Sequence, residues 1–208
     1  MAATFLKIHP ENPEPRKMKQ VVDCLSAGGL VIYPTDTVYG LGCDLHHKRA
    51  LEKICQIKGI KPKKANFSFI CYDLSHISVY AKVGTPIFKI MKKALPGPFT
   101  FILNATSKVP ELLYNNKKTV GIRIPDHPIP RLLVRELDRP IITTSVHDDD
   151  EVIDYITSPD LIYEKFQHKV DIVVDGGYGN IIPSTIVDCT QEAVEIVREG
   201  AGDIDTYI

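Results

Sequence analysis

Several short stretches of the sequence place hydroxyl, acidic or basic side chains beside an apolar run. The polar sequence "TDTVY" (35–39) follows one such run, and Arg123 lies within the strand-like pattern "GIRIP" (121–125). Similar groups occur in "TTSVHDDD" (143–150), "PSTIVD" (183–188) and "REGAGD" (198–203). Ligands of open α/β sheets bind beside the carboxyl ends of strands, and a buried guanidinium requires an anion. The pattern therefore predicts a site for a polar or anionic ligand.

The sequence "IKGIKPKK" (57–64) contains four lysines beside a glycine and a proline. The wider segment 48–64 contains seven basic residues, and Glu52 is its only acid. Such a loop either binds phosphate groups or nucleic acid, or is a solvated turn. We favour the first interpretation, in which this segment forms a basic concavity or edge of the protein.

Charge is also unevenly distributed along the whole chain. Residues 1–147 carry 22 Lys/Arg and 11 Asp/Glu, which gives +11, whereas residues 148–208 carry 3 and 15, which gives −12. A basic first part suits the binding of phosphates or nucleic acid. Alternatively, the two parts fold against each other and their opposite charges cancel in space.

Each polar cluster also has a structural interpretation. Thr and Ser beside Pro and Gly commonly bond their own backbone, and Arg123 can pair with an acid of the chain. The aspartates 148–150 favour a solvated loop over Mg²⁺ binding, because three consecutive carboxylates on an extended chain cannot all face one ion. A zinc site at Cys43 with His46 or His47 lacks further ligands. The chain contains no GxxxxGK[ST], GxGxxG or GxSxG motif, which disfavours the corresponding nucleotide-binding and hydrolase sites.

Length and composition indicate one globular α/β domain. The chain has 208 residues, of which 44% are apolar and 25% charged. No apolar run approaches the roughly 20 residues that span a bilayer, and residues 1–10 do not resemble a signal peptide. The five cysteines form no CxxC pair, which favours reduced, buried thiols. We therefore expect a cytoplasmic protein without a membrane segment.

The apolar periodicity predicts strands that alternate with helices, which would position these polar groups at strand ends. Strands are predicted at 4–9, 30–34, 67–71, 99–103, 119–125, 141–145, 171–177, 184–189 and 193–199. Helices are predicted at 15–29, 48–57, 85–97, 128–137 and 159–166. The close spacing of the last three strands predicts antiparallel pairing between them, and hence a mixed sheet.

Taken in order, the motifs resemble those of the YrdC/YciO family across nearly the whole chain. The matching stretches are "GGLVIYPTDTVYGLGCD" (28–44), "PGPFTFIL" (96–103), "TVGIRIPDHP" (119–128), "ITTS" (142–145), "PSTIVDCT" (183–190) and "VREGAGDI" (197–204). The resemblance implies a single α/β domain at residues 1–208. It also implies a twisted, open, mixed parallel and antiparallel sheet flanked by helices, with a large basic cavity.

The resemblance also implies a reaction and its partners. Threonylcarbamoyl-AMP synthases convert L-threonine, bicarbonate and ATP into threonylcarbamoyl-adenylate and pyrophosphate. Partner proteins then transfer the threonylcarbamoyl group to an adenosine of tRNA. Mg²⁺ would accompany ATP and be held mostly by its phosphates, with no metal site in the protein itself. The family is further associated with binding of double-stranded RNA and tRNA.

Individual residues acquire roles from this resemblance. L-Threonine would be bound by Thr35, Tyr39 and Arg123, and the nucleotide by Lys58, Ser145, Ser184 and Arg198. Lys58 would face the phosphates, and Lys61 stands where an arginine of the same loop belongs. Both lysines are therefore the expected catalytic residues, because adenylation needs cations around a triphosphate.

The sequence departs from the synthase pattern at three positions. Synthases of the family usually carry K-x-R in the loop and S-x-N after the later strand, where this chain has Lys58-Gly59-Ile60 and Ser145-Val146-His147. Cys71 stands where these synthases usually have a histidine. Lysine lacks the bidentate fork of arginine, so a lost arginine would lower the rate by roughly 10²–10³. These changes resemble the YciO branch more than the YrdC branch.

Two hypotheses of different class follow from this comparison. The first is an enzyme of the threonylcarbamoyl-AMP synthase type, which the retained "PTDTVYG" motif, Arg123 and Arg198 favour. The second is a YciO-type module that binds double-stranded RNA or nucleotide without efficient synthesis, which Ile60, Cys71 and His147 favour.

Overall fold

A computed structural model describes residues 2–61, 65, 67–110, 113, 118–146, 157–191 and 193–208. The strands are β1 (Thr4–Lys7), β2 (Val31–Tyr33), β3 (Gly40–Asp44), β4 (Ser68–Ile70), β5 (Ala81–Lys82), β6 (Phe99–Ala105), β7 (Thr119–Arg123), β8 (Ile141–Ser145), β9 (Ile172–Asp175), β10 (Thr185–Asp188) and β11 (Glu195–Arg198). The helices are α1 (Pro15–Ser26), α2 (Lys48–Ile57), α3 (Leu74–Tyr80), α4 (Thr85–Ala94), α5 (Pro128–Leu137) and α6 (Pro159–Phe166). No helix in these ranges is long and apolar enough to cross a membrane.

All of these strands belong to one open, mixed sheet. Their order is β1-β9-β2-β3-β8-β4-β7-β6-β10-β11, and β5 pairs with β6 beside this path. Four pairs are parallel, namely β1 with β9, β2 with β9, β4 with β7 and β6 with β10. The remaining pairs are antiparallel, including β2 with β3 and β10 with β11. The predicted mixed, open sheet flanked by helices is confirmed.

Two helical layers cover the sheet unequally. One face packs against α2, α3, α4 and α6 and forms the larger apolar core. On the other face, α1 and α5 cover only the part around β2, β9 and β8, and form a smaller core. Strand alternation then leaves Ser68, Thr100 and Ile186 on the uncovered part of that second face, where a cavity lies. The helical layers thus determine where a ligand has access to the sheet.

Helix ends follow from the local sequence. Proline occupies the first turn of α1, α4, α5 and α6, where its missing N–H costs no hydrogen bond. The Asp73 carboxylate accepts a hydrogen bond from the His76 N–H and caps α3. His127 caps α5 in a similar way through its ring nitrogen, and burial lowers its pKa.

Some predictions about the elements were wrong. The last three strands do not all pair with one another, because β9 lies between β1 and β2 in parallel register and only β10 and β11 are antiparallel. Strands β3 and β5 and helix α3 were not predicted. β3 is a buried "GLGCD" run whose glycines lack the β-branched pattern, and the seven-residue α3 is too short for a clear helical period.

Candidate functional site

A cavity of about 380 Å³ opens on the part of the sheet that α1 and α5 leave uncovered. Its wall brings together all but one of the residues that the sequence predicted for the site. These are Thr35, Tyr39, Lys58, Arg123, Ser145, Ser184 and Arg198. Lys61 is exposed and is not part of the wall. The role of Lys61 beside Lys58 therefore stays a prediction.

Arg123 is held at the end of β7 by the loop between β2 and β3. One nitrogen, Nη2, donates to Asp36 Oδ1 at 2.6 Å, to Thr35 Oγ1 at 3.3 Å and to the Thr37 hydroxyl. The other Asp36 oxygen accepts from the Asp126 N–H at 3.0 Å. Asp36 thus links the β2–β3 loop to the segment before α5. The structural interpretation of Arg123, pairing with an acid, is realised in this ion pair.

The ion pair leaves other guanidinium nitrogens without partners. Arg123 Nε is buried and has no hydrogen-bond partner among the described residues. The hydrogen bonds of the guanidinium to the described residues all use Nη2, and Nη1 is not buried without a partner as Nε is. Since Arg123 is 8% exposed and lines the cavity, Nη1 is the nitrogen available to a ligand. An anion would meet a fixed, partly neutralised cation there.

The Thr35 hydroxyl is largely used within the protein. It donates to the Val38 carbonyl oxygen at 2.7 Å and accepts from the Thr37 N–H at 3.1 Å. These bonds shape a tight turn that aims the loop at Arg123. We infer that Thr35 contributes mainly by fixing the geometry of this wall.

Arg198 and Ser184 form another part of the wall through a chain of hydrogen bonds. Arg198 Nη2 donates to the Ser184 carbonyl oxygen at 2.8 Å, and Nε donates to the same oxygen at 3.3 Å. The Ser184 and Thr100 hydroxyls are 2.8 Å apart. The chain joins β11, β10 and β6 and fixes the direction of the Arg198 guanidinium.

Lys58 lies at the end of α2 and reaches β8. Its Nζ donates to the Ser145 carbonyl oxygen at 3.2 Å. The contact places an ammonium group and a hydroxyl-bearing residue at the β8 side of the cavity wall. Lys58, Arg123 and Arg198 are the charged residues of this wall within the described ranges. Because Asp36 offsets Arg123, the predicted basic character of the cavity stays a prediction.

Two buried tyrosines support the floor of the cavity. Tyr33 donates to Thr143 Oγ1 at 2.7 Å, and Tyr39 donates to the Gly177 carbonyl oxygen at 2.6 Å. Burial raises the pKa of both phenols, so both stay neutral donors at physiological pH. Gly40 lies against the Tyr33 ring and Thr143, where a Cβ would come within 3.1 Å of both.

The departures from the synthase pattern occupy different environments. Ile60 lines the cavity and is 37% exposed. Cys71 is fully buried in the larger core, and its amide donates to the Arg123 carbonyl oxygen at 2.9 Å. Burial raises the pKa of its thiol. His147 and the aspartates 148–150 lie outside the described residues.

Sequence reasoning missed several polar residues of the wall. Ser68 and Thr100 belong to it, as do Thr143 and Thr144 of the candidate stretch 143–150, in which only Ser145 had been given a role. The sequence does show Ser68 and Thr100 as hydroxyl residues that alternate with apolar residues in their strands. That signal is ambiguous, because the same alternation describes a solvated sheet face.

Metal ligands are not clustered in the described ranges, where no group of three His, Cys, Asp or Glu side chains is placed to hold an ion. Cys43 is buried, its pKa is raised to about 12 by burial, and the His47 ring bonds the Ser26 carbonyl oxygen at 2.9 Å. The cavity wall offers carbonyl and hydroxyl oxygens but no carboxylate among the residues described. An Mg²⁺ ion arriving with ATP would therefore take most of its ligands from the phosphates.

The geometry agrees with comparisons to known proteins. The sequence profile of the Sua5/YciO/YrdC family, described as "Telomere recombination", matches residues 23–200. A Methanocaldococcus jannaschii protein described as "Putative threonylcarbamoyl-AMP synthase" is 35% identical over 204 residues, which cover 94% of this chain and 92% of that protein. The structure of P. abyssi Sua5 complexed with L-threonine is similar at a TM-score of 0.83 and 27% identity, over 95% of this chain and 58% of the Sua5 chain.

Similarity to a YciO protein extends over the full length. The uncharacterized protein YciO of Escherichia coli is 38% identical over 206 residues, which cover 98% of each chain. The crystal structure of E. coli YciO has a TM-score of 0.92 and 36% identity, over 99% of this chain and 100% of that one. The profile match and these full-length similarities show that the chain belongs to the Sua5/YciO/YrdC family.

Proposed function

We propose that the chain is an L-threonylcarbamoyl-AMP synthase-type enzyme that acts in tRNA modification. It would combine L-threonine, bicarbonate and ATP into threonylcarbamoyl-adenylate and release pyrophosphate. The observation that carries this proposal is the convergence of Arg123, Lys58, Ser184 and Arg198 on one cavity. The similarity to a Sua5 structure that holds L-threonine supports a threonine site at the Arg123 end.

In this proposal different parts of the cavity wall bind different substrates. Arg123 Nη1 would bind the threonine carboxylate, with Thr35 and Tyr39 shaping the pocket around it. Ser145, Ser184 and Arg198 would hold the nucleotide, and Lys58, which bonds the Ser145 carbonyl oxygen, would contact its phosphates. The threonine nitrogen would then lie next to the α-phosphate, which raises the effective concentration of the reacting groups.

The bonds made and broken define what the residues must do. The threonine nitrogen takes up bicarbonate carbon with loss of water, and the resulting carbamate oxygen attacks the α-phosphorus. The bond from the α-phosphorus to the bridging oxygen breaks, and pyrophosphate leaves with that electron pair. Lys58 would offset the charge that develops on the phosphate oxygens, and Lys61 would do so if the loop closes. Mg²⁺ bound to the phosphates would supply further positive charge.

A second candidate function is supported by Ile60. An apolar side chain stands in the wall where the synthase pattern has arginine, so a cation is missing beside the phosphates. The alternative is a YciO-type module that binds double-stranded RNA or nucleotide without efficient synthesis. Under either function we expect a cytoplasmic protein, and under the first we expect transfer proteins that accept the adenylate.

The test is a mass measurement of the adenylate formed by the full chain, with threonine and bicarbonate omitted in turn. The enzyme hypothesis predicts threonylcarbamoyl-adenylate and pyrophosphate only in the complete mixture. ATP binding without a threonine-dependent product above the enzyme-free rate would contradict it and favour the binding module.

A further inference from the structure

The longest stretch of the chain without an acidic residue runs from 74 to 110. It contains five lysines and no Asp or Glu, and the whole stretch is described by the structure. It forms α3, β5, α4 and β6. A corner of the molecule is therefore built from one consecutive, cationic piece of chain.

A groove between α3 and α4 lies in this corner. Its volume is about 400 Å³, and its apolar wall includes Leu74 and Ile77 of α3 and Phe88 and Met91 of α4. Phe88 is 43% exposed, and Val79 on α3 is 44% exposed. Large apolar side chains left in solvent beside a groove are a feature of binding surfaces. We name this feature the α3–α4 groove.

Lysines surround the α3–α4 groove on several sides. Lys82 is part of its wall, and Lys92 follows Phe88 by one helical turn. The Lys108 N–H donates to the hydroxyl of Thr106, another wall residue, at 3.2 Å. The Lys118 carbonyl oxygen accepts from the Ala105 N–H at 2.9 Å, so the Lys118 backbone lies beside the residue that precedes the wall residue Thr106. All four of these lysines are exposed.

One acid lies next to the groove along the chain. Asp73 precedes the wall residue Leu74, and its carboxylate caps α3 through the His76 N–H at 2.8 Å while keeping its charge. The four lysines outnumber this carboxylate, so the rim of the groove has a net positive charge while its interior is apolar. A complementary ligand carries negative charges around a large apolar group.

We propose that the α3–α4 groove binds an acidic polypeptide segment of a partner protein through a large apolar anchor side chain. The anchor would lie between α3 and α4, and the flanking carboxylates would meet the surrounding lysines. RNA would use the lysines but would gain little from the buried apolar walls of Ile77 and Met91. The groove packs on the larger core, across the sheet from the cavity, so the inference does not depend on the proposed reaction.

The test begins with a random library of short peptides displayed on phage and selected on the full chain. We expect enriched peptides to place Asp or Glu around Leu, Phe, Tyr or Trp. The best peptide, labelled with a fluorophore, is then titrated by anisotropy against the wild type and variants. Phe88→Ser removes the exposed ring, and Lys82→Glu reverses the charge at the wall.

We expect each of these two variants to bind the peptide about tenfold more weakly. Lys19→Glu is the matched control, since it makes the same charge reversal on an exposed lysine of α1, and it should change affinity less than about twofold. Peptides without acidic residues, or unchanged affinity in both groove variants, would overturn the proposal. Displacement of the peptide by an RNA hairpin that depends on Lys82 but not on Phe88 would assign the surface to RNA instead.

Discussion

Arg123 illustrates how single residues set the chemistry of the cavity. Three oxygens of the β2–β3 loop hold its Nη2, so the guanidinium has one orientation and presents a different nitrogen to a ligand. Of these three oxygens, the one from Asp36 is charged and the other two belong to hydroxyl groups. The Asp36 side chain is 11% exposed. Removing that charge would leave Arg123 in place but free to rotate.

Asp36→Asn should therefore weaken threonine use more than nucleotide use. Loss of one charge-assisted hydrogen bond costs about 1–3 kcal/mol, so KM for L-threonine should rise about tenfold while KM for ATP changes little. Asp126→Asn is the matched control, because only the backbone N–H of Asp126 bonds Asp36. Equal effects of the two variants, or an equal rise in both KM values, would show that Asp36 has only a structural role.

Lys58→Ala should reduce the affinity for ATP about tenfold, because a cation beside the phosphates is lost. The dependence of binding on salt should also become shallower, since fewer counterions are displaced. Titration calorimetry at low and high salt measures both quantities. Lys53→Ala, on the exposed side of the same helix, is the control. Unchanged affinity in Lys58→Ala would remove Lys58 from the phosphate site.

Ile60→Arg tests whether this position limits synthesis. The side chain lines the cavity and is partly exposed, so a longer cationic chain has room to extend into solvent or toward the phosphates. We expect the rate of threonine-dependent adenylate formation to rise about tenfold or more. Ile60→Gln, which is polar but uncharged, should not reproduce the gain. A rate no higher than that of the wild type would show that Ile60 is not the cause of weak synthesis.

Motif reasoning identified the charged site residues but not their partners. The order of motifs pointed to Arg123, Lys58 and Arg198 because each interrupts an apolar pattern or lies in a glycine-rich stretch. The Asp36 pair and the hydrogen bond between Thr100 and Ser184 join residues more than eighty positions apart, and no local pattern encodes such a register.

Among the elements, close backbone contact positions the Ser184 and Arg198 wall, which we propose holds the nucleotide and call the nucleotide wall. A Cβ on Gly200 would collide with the Pro183 and Ser184 carbonyl groups, so the chain after β11 passes directly over the start of β10. Gly202 packs against the Phe99 ring in the same way. The glycines of "REGAGD" are therefore required for tight packing.

Gly200→Ala should consequently separate β10 from the following loop and lower the affinity for ATP about tenfold. Its unfolding free energy should also fall by about 1–3 kcal/mol. In Gly84→Ala the nearest atom to the new Cβ is 3.9 Å away, so stability should change by less than about 1 kcal/mol and ATP affinity should not change. Wild-type affinity in Gly200→Ala would show that the loop is not part of the nucleotide wall.

A buried ion pair joins β3 to the segment between α5 and β8. Asp44 is fully buried and accepts hydrogen bonds from Arg139 Nε at 2.9 and 2.8 Å. Burial raises the pKa of Asp44, but the hydrogen bonds from Arg139 and the His46 N–H outweigh it, so the pKa is lowered from its usual 3.8. Folding therefore favours the ionised carboxylate, and this stabilisation is present above that usual pKa and lost as pH falls below it.

Asp44→Asn should lower the unfolding free energy by about 2 kcal/mol at neutral pH. The difference from wild type should shrink as pH falls through the lowered pKa of Asp44. Asp23→Asn, in an exposed pair with Lys19, should cost less than about 0.5 kcal/mol. Urea unfolding across a pH series measures all three proteins, and a difference that grows in acid would contradict the assigned sign.

Elements with a clear apolar pattern were predictable, whereas β3, β5 and α3 were not. Helices α2 and α5 have the predicted bounds because their apolar residues repeat with a helical period and a proline opens α5. The pairing of β9 with β1 and β2 was not predictable, since it joins distant parts of the chain through parallel register. Local propensity does not carry that information.

For the whole molecule, the unequal helical layers separate two surfaces. The cavity occupies the part of one sheet face that α1 and α5 leave open, and the α3–α4 groove lies on the opposite side. A partner on the groove would leave the mouth of the cavity accessible. This arrangement suits an enzyme that keeps a substrate cavity open while another protein is bound.

In the proposed function this cavity joins threonine, bicarbonate and ATP. The most direct test is the mass of the adenylate formed from ¹³C-bicarbonate by the full chain. We expect a threonylcarbamoyl-adenylate that carries the ¹³C label, that requires L-threonine, and whose formation falls sharply in Arg123→Ala. An unlabelled adenylate, or no adenylate above the enzyme-free rate while ATP still binds, would contradict it.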